Sequence, residues 1–160
     1  MDKFTIREAT REDAKLIYDF IIGLARYEKM EELVVTNPQM LEKSIFDEGY
    51  AKVIIGEEAG VPVGFALYFF NFSTFEGRPG LYLEDLFIRE EYRNKGYGKA
   101  MLKKLAGIAV KNNCKRFEWW CLDWNKPSID FYKSLGAVGM EEWTTYRMDG
   151  EVLKEFGTGK

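Results

Sequence analysis

Two adjacent carboxylates, Glu84 and Asp85, interrupt an otherwise apolar run from Leu81 to Ile88. Such a run favours a strand, in which neighbouring side chains point to opposite faces. A charge in a central strand is costly to bury unless it meets a cation or dipole, or lines a cavity. If Glu84 faces a cleft, we expect a raised pKa and a role as a base that takes a proton from an ammonium group, directly or through water. The alternative is an edge strand with both acids in solvent.

A basic, glycine-containing loop from Arg93 to Lys99 follows this strand and opens a predicted helix. Gly96 and Gly98 let the backbone approach a ligand, and the first-turn N–H groups of a helix attract an anion. The cations around the loop are Arg89, Arg93, Lys95 and Lys99. The loop therefore suits a pyrophosphate, although it matches neither the P-loop nor the dinucleotide fingerprint. A solvated turn with surface cations is the alternative that spacing alone leaves open.

Further acidic residues could form a cleft that concentrates a cationic substrate. They are Glu28, Glu31, Glu32, Glu118, Asp123, Glu141 and Glu142. For Glu31 and Glu32 we favour a solvated face, because runs of like charge are usually exposed.

Composition excludes several other kinds of chemistry. The chain of 160 residues contains no histidine, so Ser–His and Cys–His nucleophile pairs and histidine-bearing zinc sites are excluded. A net charge of −3 opposes general nucleic-acid binding. No apolar run reaches the roughly 18 residues of a membrane span. Cys114 and Cys121 fit no metal or redox spacing, and we expect structural thiols in a reducing cytoplasm.

One continuous α/β domain over residues 1–160 is expected to position these groups. Periodicity predicts strands near 4–8, 51–57, 62–72, 81–88, 117–122 and 143–148, and helices near 11–25, 38–46, 96–111 and 127–135. Thr10 and Asp13 are spaced as in a capping box, and Gly136 ends the last helix. The expected fold class is α/β (α+β), with a central mixed, mainly antiparallel twisted sheet of about six or seven strands flanked by about four helices.

Two of these segments resemble the GNAT superfamily of N-acetyltransferases. Arg93-x-x-Gly96-x-Gly98, after an apolar strand and at the start of a helix, is similar to that family's pyrophosphate loop. The segment from Asn125 to Tyr132, followed by Leu135-Gly136-Ala137, is similar to its later cofactor segment, in the same order along the chain. The resemblance implies the GNAT fold and acetyl-CoA as cosubstrate, with no metal.

A narrower resemblance covers nearly the whole chain. Four segments resemble the diamine acetyltransferases, which are the spermidine/spermine enzymes and their thialysine-preferring relatives. The segments are Phe4-x-Ile6-Arg7-x-Ala9-Thr10, Leu24-Ala25-x-Tyr27-Glu28-x-Met30-Glu31-Glu32, Tyr82-Leu83-Glu84-Asp85-x-Phe87 and Trp124-Asn125-x-Pro127-Ser128-Ile129. The chain departs from the animal polyamine enzymes in two places on the acceptor side. It is shorter between Lys52 and Val63 and again after Ala137.

The resemblance implies a role for each matched position. Glu84 is the base that relays the ammonium proton through water, and Tyr132 is the acid that protonates the departing CoA thiolate. Without the resemblance, the sequence favours a packed helix aromatic at Tyr132. Positions for the cosubstrate are Leu86, Phe87, Ile88, Arg93, Asn94, Lys95, Gly96, Tyr97, Gly98, Lys99, Asn125, Lys126, Pro127 and Ser128. Positions near the acceptor amine are Tyr27, Glu28, Asp85, Glu118, Trp119, Trp120 and Glu142.

The implied function is acetyl transfer from acetyl-CoA to a primary amine of a small cationic acceptor, by direct attack. A diamine or polyamine such as spermidine or spermine is the first candidate. The same chemistry on thialysine, a lysine-like amine, an aminoglycoside or a protein amine is the alternative. A CoA-binding sensor without catalysis is the alternative of another class, and the presence of Glu84 and Tyr132 argues against it. The resemblance also implies a homodimer. Net charge, the lack of a long apolar run and the two thiols predict a cytoplasmic protein that binds neither nucleic acid nor membrane.

Overall fold

The computed structural model describes residues 3–159, which divide into two compact units, one ending at Trp120 and the other beginning at Cys121. The first unit contains a sheet of five strands in the order β1-β2-β3-β4-β5. Their bounds are β1 Phe4–Glu8, β2 Lys52–Glu58, β3 Val61–Ser73, β4 Arg78–Ile88 and β5 Phe117–Trp119. The first four are antiparallel neighbours, and β5 is parallel to β4. The mixed, mainly antiparallel sheet is therefore confirmed, with five strands in the described residues instead of six or seven.

Five α-helices accompany the sheet within residues 3–159. In the first unit they are α1 Ala14–Tyr27, α2 Pro38–Leu41 and α3 Tyr97–Lys111. A 3₁₀ turn at Arg11–Asp13 precedes α1, and α2 continues as a π-helical segment, Glu42–Asp47. The second unit contains α4 Lys126–Ser134 and α5 Gly150–Thr158, of which α5 was not predicted.

The start of α1 shows why the chain enters the helix at Thr10. The Asp13 carboxylate accepts a hydrogen bond from the Thr10 backbone N–H at 2.7 Å, which is one half of the predicted capping box. Arg7 of β1 donates to both oxygens of Asp13, at 2.8 and 2.9 Å, and to Glu57 of β2. These contacts tie the helix start to the first two strands.

The core lies on both faces of the sheet. On one face, Phe20 of α1 stacks on Phe65 of β3 with ring centroids 5.4 Å apart, and Phe87 of β4 belongs to the same buried cluster. On α3, the buried residues are Tyr97, Met101, Leu102, Leu105 and Ala109. Such burial is the main source of stability for a sheet with a helix on each face.

Two predicted strands differ in the structure. The predicted closing strand at 143–148 is wrong, because these residues are exposed and form no regular element. An aromatic, β-branched segment becomes a strand only where a neighbouring strand pairs with its backbone. The strand predicted at 117–122 is the shorter β5, which ends at Trp119.

Candidate active site

A bulge in β4 sets the geometry of the two adjacent carboxylates. Asp85 pairs with Leu67 of β3, and Leu83 pairs with Tyr68, so Glu84 is an extra residue without a partner on β3. An extra residue of this kind interrupts the ladder and re-aims the side chains around it. Bulges are over-represented next to active sites for that reason.

The bulge changes which side chains share a face. Tyr82, Asp85 and Phe87 pair with Phe69, Leu67 and Phe65, which alternate along one face of β3. Phe65 and Phe87 belong to the core cluster beneath α1, so Asp85 lies on the α1 face. Glu84 itself is exposed. The expected desolvation of Glu84 is therefore not found, because the bulge places Asp85 on the covered face instead.

Asp85 and Glu28 are partly buried carboxylates, and the charge of Glu28 acts on Asp85. Burial, followed by the nearby charges of Glu84 and Glu28, raises the pKa of Asp85 to about 7. Burial also raises the pKa of Glu28, the residue that ends α1. Among residues 3–159, no side chain donates a hydrogen bond to either carboxylate or forms an ion pair with it. A positively charged group bound here would offset the cost of burying these carboxylates.

Tyr82 lies beside these acids and was not singled out as a site residue. Burial and the charges of Glu84, Glu118 and Asp85 raise the pKa of its phenol to about 12, so it is a neutral hydrogen-bond donor near pH 7. Its ring meets that of Trp120 edge-on at 6.1 Å. Simple strand alternation would place Tyr82 on the same face as Glu84 and not on the face of Asp85. Tyr82 can therefore be recognised as a neighbour of Asp85 only once the bulge is known.

The predicted acceptor residues on β5 separate by face. Glu118 pairs with Tyr82 across the β4–β5 ladder, and Trp120, two residues on, contacts the same tyrosine. Glu118 is also ion-paired with Arg116 at 2.9 Å. Trp119 pairs with Leu83, so alternation sends it to the other face, where it packs on Phe117 at 4.9 Å. The structure therefore joins Glu118 and Trp120 to the Asp85 region but not Trp119.

Strands β4 and β5 part beyond the bulge. Their ladder covers only Leu81–Leu83 and Phe117–Trp119, while β4 continues to Ile88. In residues 3–159 the backbone of Leu86 to Ile88 thus has no strand partner on its β5 side. An unpaired strand edge is suited to an extended ligand that contributes amide groups, as expected for the pantetheine arm. The Ile88 carbonyl already accepts a hydrogen bond from Arg93 Nε at 2.9 Å.

The glycine-containing loop has the backbone form of an anion site. Asn94 and Gly96 have positive φ angles of 64° and 83°, and α3 begins at Tyr97. A Cβ added to Gly98 would meet no heavy atom within 4 Å. Neither packing nor backbone strain thus requires glycine at position 98, and the open space leaves room for an external group.

Three of the four cations that were expected around a phosphate contact other parts of the protein instead. Lys95 Nζ lies 2.8 Å from Glu58 Oε1, and the guanidinium carbon of Arg93 lies 4.9 Å from the Tyr27 ring centroid. Arg89 lies over the Phe20 ring. Only Lys99 of the four is exposed without an ion pair to another described residue. Helix N–H groups and Lys99 are therefore the parts of the loop open to a phosphate.

In the second unit, the predicted cofactor segment forms the start of α4. Asn125 is buried and caps the helix, its side chain accepting from the Ser128 N–H at 3.4 Å. Lys126 is ion-paired with Asp130 at 2.8 Å, and Pro127 lies in the first turn. Tyr132 is half-buried on α4, and Glu142 is exposed in the loop that follows.

Two kinds of feature are absent from residues 3–159. They contain no group of histidine, cysteine or acidic side chains arranged to hold a metal ion. They also contain no helix with the length and apolar content to cross a membrane.

Comparison with known proteins gives concordant matches. Residues 16–137 match the model of the acetyltransferase (GNAT) family. The chain is 36% identical over 167 residues to the thialysine N-epsilon-acetyltransferase of Sus scrofa, covering 97% of this chain and 98% of that protein. It is 32% identical to the spermidine/spermine N(1)-acetyltransferase-like protein 1 of Homo sapiens, covering 96% of this chain but 24% of that protein. Among solved structures, an integron cassette protein from the mobile metagenome of V. cholerae superposes with a TM-score of 0.81 at 30% identity, covering 96% of this chain and 97% of that one.

Proposed function

We infer the donor, the acceptor and the catalytic roles from one premise: this chain belongs to the acetyltransferase (GNAT) family and is an enzyme that transfers an acetyl group to an amine. The donor is acetyl-CoA. The acceptor is a small primary amine that carries further positive charge, either thialysine or a diamine or polyamine such as spermidine. Residues 1–160 act as one domain for this purpose, since the family match spans both compact units.

The observation that carries the acceptor class is the pair of Asp85 and Glu28. Two partly buried carboxylates raise each other's free energy when both are ionised, and burial adds a desolvation penalty. An ammonium group bound between them relieves both costs. A neutral or anionic acceptor would leave the penalty in place. A near-full-length relative named for thialysine and a relative named for spermidine and spermine support the same class.

Acetyl-CoA fits the features at the end of β4 and the start of α3. The thioester to be attacked is the chemistry that this cosubstrate supplies. The unpaired backbone from Leu86 to Ile88 would bind the pantetheine amides. The first turn of α3, with the open space at Gly98 and the exposed Lys99, would hold the diphosphate.

Proton transfer is assigned to Glu84 and Tyr132. The acceptor ammonium must lose a proton before its nitrogen can attack, and exposed Glu84 takes that proton through a water molecule. The nitrogen then bonds to the acetyl carbon and loses a second proton to water, which leaves a neutral amide, while the carbon–sulfur bond breaks and its electron pair leaves on sulfur. Tyr132 donates a proton to that sulfur. Asp85 is a second candidate base, because a pKa of about 7 suits general-base catalysis near neutral pH.

Location and assembly are further parts of the proposal. We place the protein in the cytoplasm because the spacing of Cys114 and Cys121 fits no metal or redox motif and is that of structural thiols. The resemblance to diamine acetyltransferases supports a homodimer, which light scattering on the purified chain would test.

The decisive experiment follows release of free CoA thiol from acetyl-CoA with a panel of amines. The panel contains thialysine, lysine, putrescine, spermidine, spermine and an aminoglycoside. We expect turnover with thialysine or the polyamines, and a loss of about a hundredfold or more in kcat for both Glu84→Gln and Tyr132→Phe. Acetyl-CoA binding without turnover of any amine would instead favour a sensor. Full turnover by both variants would overturn the assigned roles.

A further inference from the structure

Glu58, the last residue of β2, is a buried carboxylate with two donors on one oxygen. Lys95 Nζ lies 2.8 Å from Glu58 Oε1, and the Tyr97 hydroxyl donates to the same atom. Both donors belong to the loop that resembles a pyrophosphate site, 37 and 39 residues further along the chain. These hydrogen bonds, the one from Lys95 first, lower the pKa of Glu58, so the carboxylate is ionised at neutral pH.

The first two strands hold the Tyr97 ring as well as its hydroxyl. Phe4 of β1 stacks on Tyr97 with ring centroids 4.1 Å apart and planes inclined by 8°. Tyr97 is the first residue of α3 and is buried. The position of the helix N-terminus is therefore fixed by contacts from β1 and β2, and not by the loop alone.

The loop has a backbone that needs such external support. Asn94, which is not glycine, has a φ of 64°, and Gly96 two residues later has a φ of 83°. Left-handed conformations of non-glycine residues persist where the surrounding structure over-determines them. Lys95 lies between these two positions and is held by Glu58. The ion pair thus restrains the segment that must present its N–H groups to an anion.

We propose that Glu58 is a positioning residue for the cosubstrate, holding the loop and the first turn of α3 through Lys95 and Tyr97 without touching the cosubstrate itself. Lys95, which was expected to bind the phosphate, fixes the loop instead, and the diphosphate is bound by backbone N–H groups. This inference rests on the proposed acetyl-CoA site. It assigns a function to an acidic residue outside every matched motif.

The test compares Glu58→Gln with Glu57→Gln. Glu57 is the preceding residue on β2 and is also ion-paired, but with Arg7 at 2.9 Å, away from the loop. For Glu58→Gln we expect the KM and the calorimetric Kd for acetyl-CoA to rise by about tenfold, with kcat and the acceptor KM within about twofold of wild type. Glu57→Gln should lower the melting temperature, because it removes the ion pair with Arg7. It should leave the KM and the Kd for acetyl-CoA unchanged.

Tyr97→Phe provides a second variant if Glu58→Gln does not fold. It removes only the donated hydroxyl and keeps the stacked ring, and it should raise the acetyl-CoA KM in the same direction. In the double variant the two effects on the acetyl-CoA KM should be less than additive, because both substitutions act on the same contact, the one between the Tyr97 hydroxyl and Glu58. Equal acetyl-CoA constants for Glu58→Gln, Tyr97→Phe and wild type would overturn the inference and leave the proposed function intact. Absence of acetyl-CoA binding by the wild type would overturn both.

Discussion

The guanidinium carbon of Arg93 lies 4.9 Å from the centroid of the Tyr27 ring and 5.4 Å from that of Phe87. Arg93 Nε also donates to the Ile88 carbonyl at 2.9 Å. Arg93 was predicted to hold the diphosphate and Tyr27 to lie near the amine. The structure directs Arg93 to the Tyr27 ring and leaves Lys99 as the loop cation open to a phosphate, so a change at Arg93 should affect the acceptor.

The first prediction concerns that contact. Arg93→Met should raise the acceptor KM by about three- to tenfold, the range expected when a cation–π contact is lost. Lys99→Met is the matched control, because Lys99 is an exposed loop cation without an ion pair to another described residue. It should raise the KM for acetyl-CoA and leave the acceptor KM unchanged. Steady-state kinetics with each substrate varied in turn measures both. Identical effects of the two variants would contradict the assignment.

A second prediction concerns the charge of the acceptor. Glu28→Gln removes one of the two carboxylates that lack a cationic partner among residues 3–159, so it should weaken acceptors with two ammonium groups more than those with one. We expect a rise of about tenfold in KM for a diamine and about threefold or less for a monoamine of the same length. Glu32→Gln, at an exposed site, should change neither KM. Equal losses for diamine and monoamine would show that Glu28 does not bind the second charge.

The third prediction is a pH dependence of stability that comes from Asp85. Its pKa in the folded protein, about 7, is above the ordinary pKa of 3.8 for an aspartate, so between these values the folded state binds more protons than the unfolded state. The free energy of unfolding should therefore fall as pH rises through this window, by at most about 4 kcal/mol. Asp85→Asn should flatten the curve, whereas Glu32→Gln, at an exposed site whose charge does not act on Asp85, should not. Denaturant melts from pH 4 to pH 8 provide the measurement. A wild-type curve that rises over this range would refute the assignment.

The sequence predicted the features that depend on local pattern. The strand at 4–8, the capping contact between Thr10 and Asp13, and the helix over 96–111 are confirmed within a residue or two. Each follows from periodicity or from a short-range hydrogen bond. The fold class is confirmed for the same reason, since the order of elements limits the layers that can bury them.

The features that were missed depend on pairing between distant segments. The bulge at Glu84 is decided by how β3 aligns with β4, and its consequence is that Asp85, and not Glu84, lies on the covered face. The partner of Lys95 is Glu58, 37 residues away, so the loop sequence alone gave no reason to doubt a phosphate contact. Alternation and motif spacing contain no information about either relationship.

The last prediction separates two glycines that the sequence treats alike. Gly96 has a φ of 83°, which an alanine adopts at a cost of about 1 kcal/mol, so Gly96→Ala should lower the melting temperature. Gly98 has no such strain, and a Cβ there meets no heavy atom within 4 Å. Gly98→Ala should leave stability unchanged or raise it by up to about 1 kcal/mol, since alanine is the better helix former.

If the open space at Gly98 receives the diphosphate, the same variant should raise the acetyl-CoA KM by about tenfold without a change in acceptor KM. Thermal melts and steady-state kinetics on both variants distinguish strain from ligand approach. An acetyl-CoA KM that is unaffected by Gly98→Ala would mean that the diphosphate lies elsewhere.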